Sequence, residues 1–197
     1  KTKIQEKFKA MFGDGASLFA SPGRVNLIGE HTDYNLGFVL PGAIDKAIYV
    51  ALKPNDGTVC RVYSLDYDET VELDLHGEKP SQQWACYVYG VCQEMEKRGA
   101  LILPFDMAFG GDVPLGAGLS SSAALESAVG FALNETYGLG FDREQLAKIG
   151  QMTEHNYVGV RCGIMDQFAI AMGKKAHQMI LDALDALTAE DENAARG

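Results

Sequence analysis

The chain has 197 residues, enough for one substantial domain or at most two small ones. Hydrophobic residues make up 47% and charged residues 22% of it, which is the composition of an ordinary globular protein. The formal net charge of −10 argues against nucleic-acid binding, and no apolar run is long enough to predict a membrane span.

The first third of the chain predicts one helix followed by short strands. Ile4 and Phe8 recur at helical spacing, and the glycines at 13 and 15 should end that helix. A strand over 17–20 should break at the Pro-Gly pair of residues 22–23. Further short β-rich runs separated by turn residues cover 38–40, 47–52, 59–65 and 70–75.

The remaining chain is dominated by predicted helices. They cover 84–98, about 120–137, 142–157 and a short stretch after residue 166, with strands predicted at 104–109 and 177–181. Strands first and helices later favour an α+β domain, a mixed sheet with helices packed on one face. We expect this domain to span 1–182, followed by a short tail over 183–197 that has little to bury and frays.

The cysteine pattern and the start of the chain bear on location. Neither a CxxC motif nor the Cys/His spacing of a metal site is present. The first residues carry charges without the apolar stretch of a signal peptide. We therefore expect reduced thiols in a cytoplasmic protein.

A glycine-rich turn over 114–118 that leads through three serines into a helix is the first candidate site. Exposed amides at a helix start favour an anion, and the serines could donate to phosphate or ligate Mg²⁺. In an acidic protein, local groups of this kind would have to neutralise phosphate charge. The turn is not a Walker A loop, because no Lys-Ser/Thr follows its last glycine. A phosphate cradle and a loop that merely caps a buried helix both remain open.

The polar segment over 23–35 is the second candidate site. It offers Arg24, Glu30, His31 and Asp33 among apolar residues. Carboxylates beside an imidazole can bind hydroxyl groups of a ligand, since each donates or accepts at a fixed geometry. The alternatives are a solvated loop and a metal site, although adjacent loop residues rarely converge on one ion.

Two acidic residues form the third candidate site. Glu154 lies near the end of a predicted helix, and Asp166 follows a glycine turn. They could share a polyanionic ligand, one holding a metal ion and the other acting as a base. Each could equally be surface charge.

These three blocks, in this order, closely resemble the N-terminal signatures of galactokinases in the GHMP small-molecule kinase superfamily. The segment 23–35 is similar to the galactokinase signature, and 114–124 to the phosphate-binding motif. Residues 154–155 together with 162–167 are similar to the segment that carries the catalytic aspartate. The likeness extends from about residue 19 to 182. It implies the GHMP kinase N-terminal fold (ribosomal protein S5 domain 2-like), with the C-terminal GHMP domain absent.

The resemblance also implies an ATP- and Mg²⁺-dependent enzyme that phosphorylates galactose at the anomeric hydroxyl. Asp166 would be the general base, and Arg24 would lie beside both that oxygen and the incoming phosphoryl group. The sugar would be bound by Arg24, Glu30, His31, Asp33, Gly163 and Asp166. The nucleotide would be bound by Trp84, Gly116, Gly118, Ser120, Ser121 and Ser122, and Mg²⁺ by Ser122 and Glu154. Trp84 has a competing interpretation as a packed core residue.

Two rival functions stay open. An N-acetylgalactosamine kinase shares the signature over 30–33, and a non-catalytic sugar or nucleotide sensor would retain the binding residues. Without a second domain to close the site, we expect the chain alone to be inactive or weakly active. We also expect it to self-associate through the apolar surface that such a domain would cover. No nucleic-acid or membrane partner is expected.

Overall fold

The computed structural model describes residues 1–29, 32, 35, 37–114 and 116–173. The helices are α1 (Thr2–Phe12), α2 (Gln83–Glu96), α3 (Ser121–Tyr137), α4 (Arg143–Thr153) and α5 (Met165–Met172). A π-helical turn, Glu154–Val158, continues α4. The strands are β1 (Ser17–Asn26), β2 (Pro41–Pro54), β3 (Cys60–Ser64), β4 (Glu69–Leu73) and β5 (Phe105–Gly111).

The strands form a mixed sheet in the order β1-β2-β5-β3-β4. The β3–β5 pairing is parallel, and the other neighbouring strands run antiparallel. Side chains alternate between the two faces, so Val50 and Leu52 enter the larger core while Ala51 enters a smaller one. This arrangement confirms the predicted α+β class with a mixed sheet.

The two faces of the sheet are covered by different helices. The larger core packs α2, α3, α4 and α5 against one face. On the opposite face, Ile4 and Phe8 of α1 pack on Ala51, Tyr63 and Ala108. The prediction of helices on one face therefore describes α2–α5, and α1 is the exception because its apolar stripe covers the second face.

Strand β1 does not break at the Pro-Gly pair, where the sequence predicted a break. Pro22 pairs with Ala47, and the register shifts before Arg24 pairs with Ala43. β1 is an edge strand, where proline is tolerated, and the shift is a β-bulge. At Gly23, an added Cβ would lie 2.9 Å from the carbonyl oxygen of Leu119, so only glycine permits this close approach.

The predicted helix over 142–157 is an α-helix only to Thr153. Its start is confirmed, since Asp142 caps α4 and forms a reciprocal capping box with Gln145. The predicted strand at 177–181 and the tail at 183–197 lie outside the described residues. None of the described helices is long and apolar enough to cross a membrane.

Candidate active site

The bulge in β1 directs Arg24 toward two other parts of the fold. Its Nε donates to Oδ1 of Asp166 at 2.7 Å, and its Nη1 donates to the carbonyl of Gly118 at 2.6 Å. The backbone amide of Arg24 also donates to the carbonyl of Leu119 at 3.2 Å. A residue that is only 8% exposed thus joins β1, the glycine-rich turn and the start of α5.

Asp166 receives a second side-chain donor. It lies in the first turn of α5, and its Oδ2 accepts a hydrogen bond from the hydroxyl of Ser120. The Asp166 side chain remains 30% exposed. The carboxylate is therefore held from both sides and still has a surface open to a ligand.

Ser120 adopts an uncommon backbone conformation. It lies just before α3 with φ 53° and ψ 53°, in the left-handed region. A non-glycine residue there costs on the order of 1–3 kcal/mol and persists only where the surroundings enforce it. No side-chain hydrogen bond caps the start of α3, so its first amides remain available to an anion.

Glu154 lies in the π-helical turn near the hydroxyl of Ser122. Burial raises the pKa of Glu154, the nearby Ser122 hydroxyl opposes that shift, and the Asp166 carboxylate adds to it. A carboxylate and a hydroxyl are hard oxygen donors of the kind that Mg²⁺ takes together with substrate phosphates. No cluster of three or more His, Cys, Asp or Glu able to hold a metal occurs among the described residues.

Helix α2 anchors the π-helical turn. Glu94 accepts from Nδ2 of Asn156 at 2.9 Å, and Tyr89 meets Tyr157 edge-on with ring centroids 5.8 Å apart. At Gly90, an added Cβ would lie 2.7 Å from Cγ2 of Thr153. The backbone of α2 therefore packs directly against the side chain of Thr153 at the end of α4. This packing fixes the position from which Glu154 faces the site, as π-helical turns often do at functional sites.

The loop before α5 is held by side chains of the preceding helix. Nε2 of His155 donates to the carbonyl of Cys162 at 2.9 Å, and Nε2 of Gln151 donates to the same oxygen at 3.4 Å. Gly163 follows directly and leads into Asp166. The other predicted sugar-binding residues, Glu30, His31 and Asp33, lie outside the described residues.

A cavity of about 470 Å³ opens beside the glycine-rich turn. Its lining includes Tyr67, Trp84, Tyr87, Gly116, Ser121 and Ser122. The rings of Tyr67 and Trp84 stack with centroids 6.2 Å apart, and Nε1 of Trp84 donates to Glu69 at 3.1 Å. Trp84 is also 7% exposed and part of the larger core, so packing and cavity lining are compatible roles for one side chain.

Sequence reasoning missed a buried polar pair behind Asp166. Glu126 of α3 and Gln167 of α5 are 2% and 1% exposed, and Nε2 of Gln167 donates to Oε2 of Glu126 at 3.4 Å. The remaining side-chain oxygen of each is buried without a hydrogen-bond partner. Burial, followed by the charge of Glu154, raises the pKa of Glu126 well above its ordinary value. An acid within an apolar helix was the available signal.

Glu126→Gln should stabilise the chain at neutral pH. A buried acid with a raised pKa favours the folded state at low pH, and this contribution is lost as pH rises through the folded-state pKa. Glutamine has no proton to lose, so the variant keeps its stability as the pH rises. Its Tm should match the wild type near pH 4 and exceed it by about 2–4 °C at pH 7–8. Thermal unfolding across this pH range measures the difference.

Glu135→Gln, on the exposed side of the same helix, is the matched control and should show a much smaller trend. A Glu126→Gln variant that is less stable than the wild type at pH 7–8 would contradict the prediction. So would a Tm difference that does not change with pH.

Comparison with known proteins identifies two matching family models and several structures with a similar fold. The family model described as the galactokinase galactose-binding signature matches residues 6–54, and that of the GHMP kinases N-terminal domain matches residues 86–174. The structure of Lactococcus lactis galactokinase complexed with galactose is similar, with 37% identity, a TM-score of 0.82, and coverage of 87% of this chain and 46% of that one.

Two more distant structures share the fold. Methanococcus jannaschii mevalonate kinase has 20% identity and a TM-score of 0.70, over 81% of this chain and 52% of that one. Streptococcus pneumoniae phosphomevalonate kinase in complex with phosphomevalonate and AMPPNP has 22% identity and a TM-score of 0.64, over 79% and 47%. At these identities the likeness establishes the fold alone.

Together, the fold and the two family matches define a GHMP kinase N-terminal domain. Within that superfamily, the chain carries the galactokinase galactose-binding signature and is similar to a galactokinase at 37% identity. It spans about half the length of the solved structures that it matches.

Proposed function

We propose that this chain forms the sugar- and phosphate-binding part of a galactokinase, which transfers the γ-phosphoryl group of ATP to the anomeric hydroxyl of galactose. The observation that carries the proposal is the convergence of Arg24, Asp166 and the Gly118 carbonyl within 2.7 Å contacts. A guanidinium and a carboxylate at the edge of a glycine-rich turn are what phosphoryl transfer to a hydroxyl requires.

In this proposal Asp166 accepts the proton of the anomeric hydroxyl as general base. Its carboxylate oxygens have lone pairs beyond those used by Arg24 and Ser120, so a sugar hydroxyl can donate to one of them. Phosphoryl transfer passes through a loose transition state, in which proton removal comes late and positioning matters most. Arg24 then has two tasks: it orients Asp166 and it neutralises charge on the transferring group.

The nucleotide is assigned to the cavity and the turn beside it. The aromatic side chains of Tyr67, Trp84 and Tyr87 support an adenine in the cavity, and Gly116 and Ser122 line the side nearer the turn. Its phosphates are assigned to the backbone amides of Gly116, Gly118, Ser120, Ser121 and Ser122. Ser122 and Glu154 would hold Mg²⁺, which supplies charge neutralisation when bound.

The sugar is assigned to Arg24, Asp166, Gly163 and the signature residues Glu30, His31 and Asp33. The match of the galactose-binding signature over 6–54 supports this assignment. The base of that signature segment is paired, since the amide of Leu27 donates to the carbonyl of Leu40 at 3.0 Å. Leu27 directly follows β1, and Arg24 lies two residues before the end of that strand.

The wider proposal covers domain extent, location and the behaviour of the chain alone. We assign residues 1–182 to one domain of a cytoplasmic enzyme, consistent with its free cysteines. The isolated chain is proposed to be weakly active at most and to self-associate. Exposed apolar side chains support self-association, among them Phe38 at 99%, Ile28 at 71% and Leu101 at 71%.

N-acetylgalactosamine kinase is the alternative substrate assignment, and a non-catalytic sensor is the alternative class of function. The paired Arg24 and Asp166 favour an enzyme, because a sensor has no need for a base held in this way.

The test is to assay the chain, and its full reading frame, for galactose 1-phosphate. Calorimetry with galactose, N-acetylgalactosamine and Mg-ATP should accompany the assay. We expect the full reading frame to bind galactose and Mg-ATP and to form galactose 1-phosphate. If it binds both ligands without turnover, the protein is a sensor, and a preference for N-acetylgalactosamine would reassign the substrate.

A further inference from the structure

The hydroxyl of Ser120 has a partner that phosphate binding does not explain. It donates to Oδ2 of Asp166, while Nε of Arg24 donates to Oδ1 of the same carboxylate at 2.7 Å. The two donors therefore occupy different oxygens. Rotation of the carboxylate plane cannot preserve both hydrogen bonds, so together they define one orientation of the Asp166 side chain.

The backbone on both sides of Ser120 is fixed. The carbonyl of Leu119 accepts the amide of Arg24 at 3.2 Å, and the carbonyl of Ser120 accepts the amide of Ala124 at 2.9 Å. Between these bonds, Ser120 holds a left-handed conformation that glycine would adopt without strain. The backbone conformation at residue 120 would favour glycine, yet the residue is serine. The side chain of Ser120 donates a hydrogen bond to Asp166.

We infer that Ser120 is a positioning residue for Asp166, acting through its hydroxyl, while its backbone amide stays available to the phosphates. The inference rests on the proposed function, in which Asp166 is the general base. Gly118 and Ser120 then hold the two partners of one catalytic pair, because the Gly118 carbonyl orients Arg24 and the Ser120 hydroxyl orients Asp166. The turn assigned to the phosphates thereby also sets the position of the base.

Two variants separate the hydroxyl from the backbone. Ser120→Ala removes the hydroxyl and keeps a side chain in the left-handed region, whereas Ser120→Gly removes the hydroxyl and relieves the strain. Ser127→Ala, within the helix that Ser120 precedes and outside the site, is the matched control. Each variant is made in the full reading frame, and kcat, both KM values and Mg-ATP affinity by calorimetry are measured beside the wild type.

We expect Ser120→Ala and Ser120→Gly to lower kcat by a similar factor, about 10- to 100-fold, because a misplaced base slows the chemical step. Mg-ATP affinity and the KM for ATP should stay within about twofold. Loss of a hydrogen bond to a phosphate would weaken binding by more than the free energy of a twofold change, RT ln 2. Ser127→Ala should retain wild-type kinetics. Because Ser120→Gly relaxes the backbone, it keeps the test valid if Ser120→Ala folds poorly.

Three results would overturn the inference. They are an unchanged kcat in both variants, a loss confined to Mg-ATP affinity, and a crystal structure of Ser120→Ala in which the Asp166 carboxylate has not moved. The crystal structure does not depend on turnover. Absence of galactose phosphorylation by the wild type would instead contradict the proposed function, so the two failures are distinguishable.

Discussion

Asp166→Asn should nearly abolish turnover while leaving galactose binding within a few-fold of the wild type. Asparagine keeps the shape of the side chain, and its Oδ1 can still accept from Nε of Arg24. It cannot take the proton of the anomeric hydroxyl at neutral pH. A positioned general base contributes about 100- to 10 000-fold, so kcat should fall by a factor in that range.

The measurement pairs steady-state kinetics with galactose calorimetry in the full reading frame. Asp166→Ala is the second variant, because it also removes both carboxylate contacts and should be at least as severe. Asp56→Asn, on the exposed turn after β2, is the control for the same chemical change and should behave as the wild type. A kcat near the wild-type value in either Asp166 variant would contradict the assignment of Asp166 as the general base.

The parts of the site that could be predicted from sequence are those carried by contiguous motifs. Arg24, the turn from Gly116 to Ser122 and Asp166 each lie within a segment whose residue pattern resembles a family signature. Period and capping residues also predicted α1 and the start of α4. Such signals are local, so one segment suffices to read them.

The parts that sequence reasoning missed depend on contacts between distant segments. Continuation of β1 through Gly23 depends on the carbonyl of Leu119, which approaches within 2.9 Å of where a Cβ would be. The hydroxyl of Ser120 donates a hydrogen bond to Asp166, which lies 46 positions further along the chain. No pattern within either segment encodes these pairings, which is why the break in β1 was predicted wrongly.

The π-helical turn illustrates the same limit within one helix. The apolar spacing from 142 to 157 is compatible with a continuous α-helix, and the departure begins at Glu154. At this point α2 packs against the chain, because Gly90 lies against Thr153 and Glu94 accepts a hydrogen bond from Asn156. These contacts join segments that are distant in sequence, so the apolar spacing within one helix could not predict the π-helical turn.

Replacement of Arg24 should lower kcat by about three orders of magnitude, a loss comparable to that for an arginine that stabilises a transferring phosphoryl group. Arg24→Met removes the charge and both side-chain hydrogen bonds, to Asp166 and to the Gly118 carbonyl. Arg24→Lys keeps the charge, but an ammonium is a point donor and cannot reproduce the guanidinium fork. Lysine should therefore recover only part of the loss.

Arg61→Lys is a matched control within the same domain. Arg61 of β3 makes a comparable pair, with Nε and Nη2 each 2.7 Å from the Asp106 carboxylate, on a different strand of the sheet. Its replacement should lower stability and leave kcat unchanged. If Arg61→Lys and Arg24→Lys reduce kcat equally, the Arg24 effect reflects folding rather than the site.

The double variant Arg24→Met/Asp166→Asn tests whether the two residues act as a unit. When one residue orients the other, removal of both costs little more than the worse single change. Arg24 is also proposed to neutralise phosphoryl charge, so we expect the double variant to lose more kcat than either single variant but clearly less than the product of the two single losses. Losses that multiply would mean that Arg24 acts on the phosphoryl charge independently of Asp166, and the orienting half of its proposed role would then be wrong.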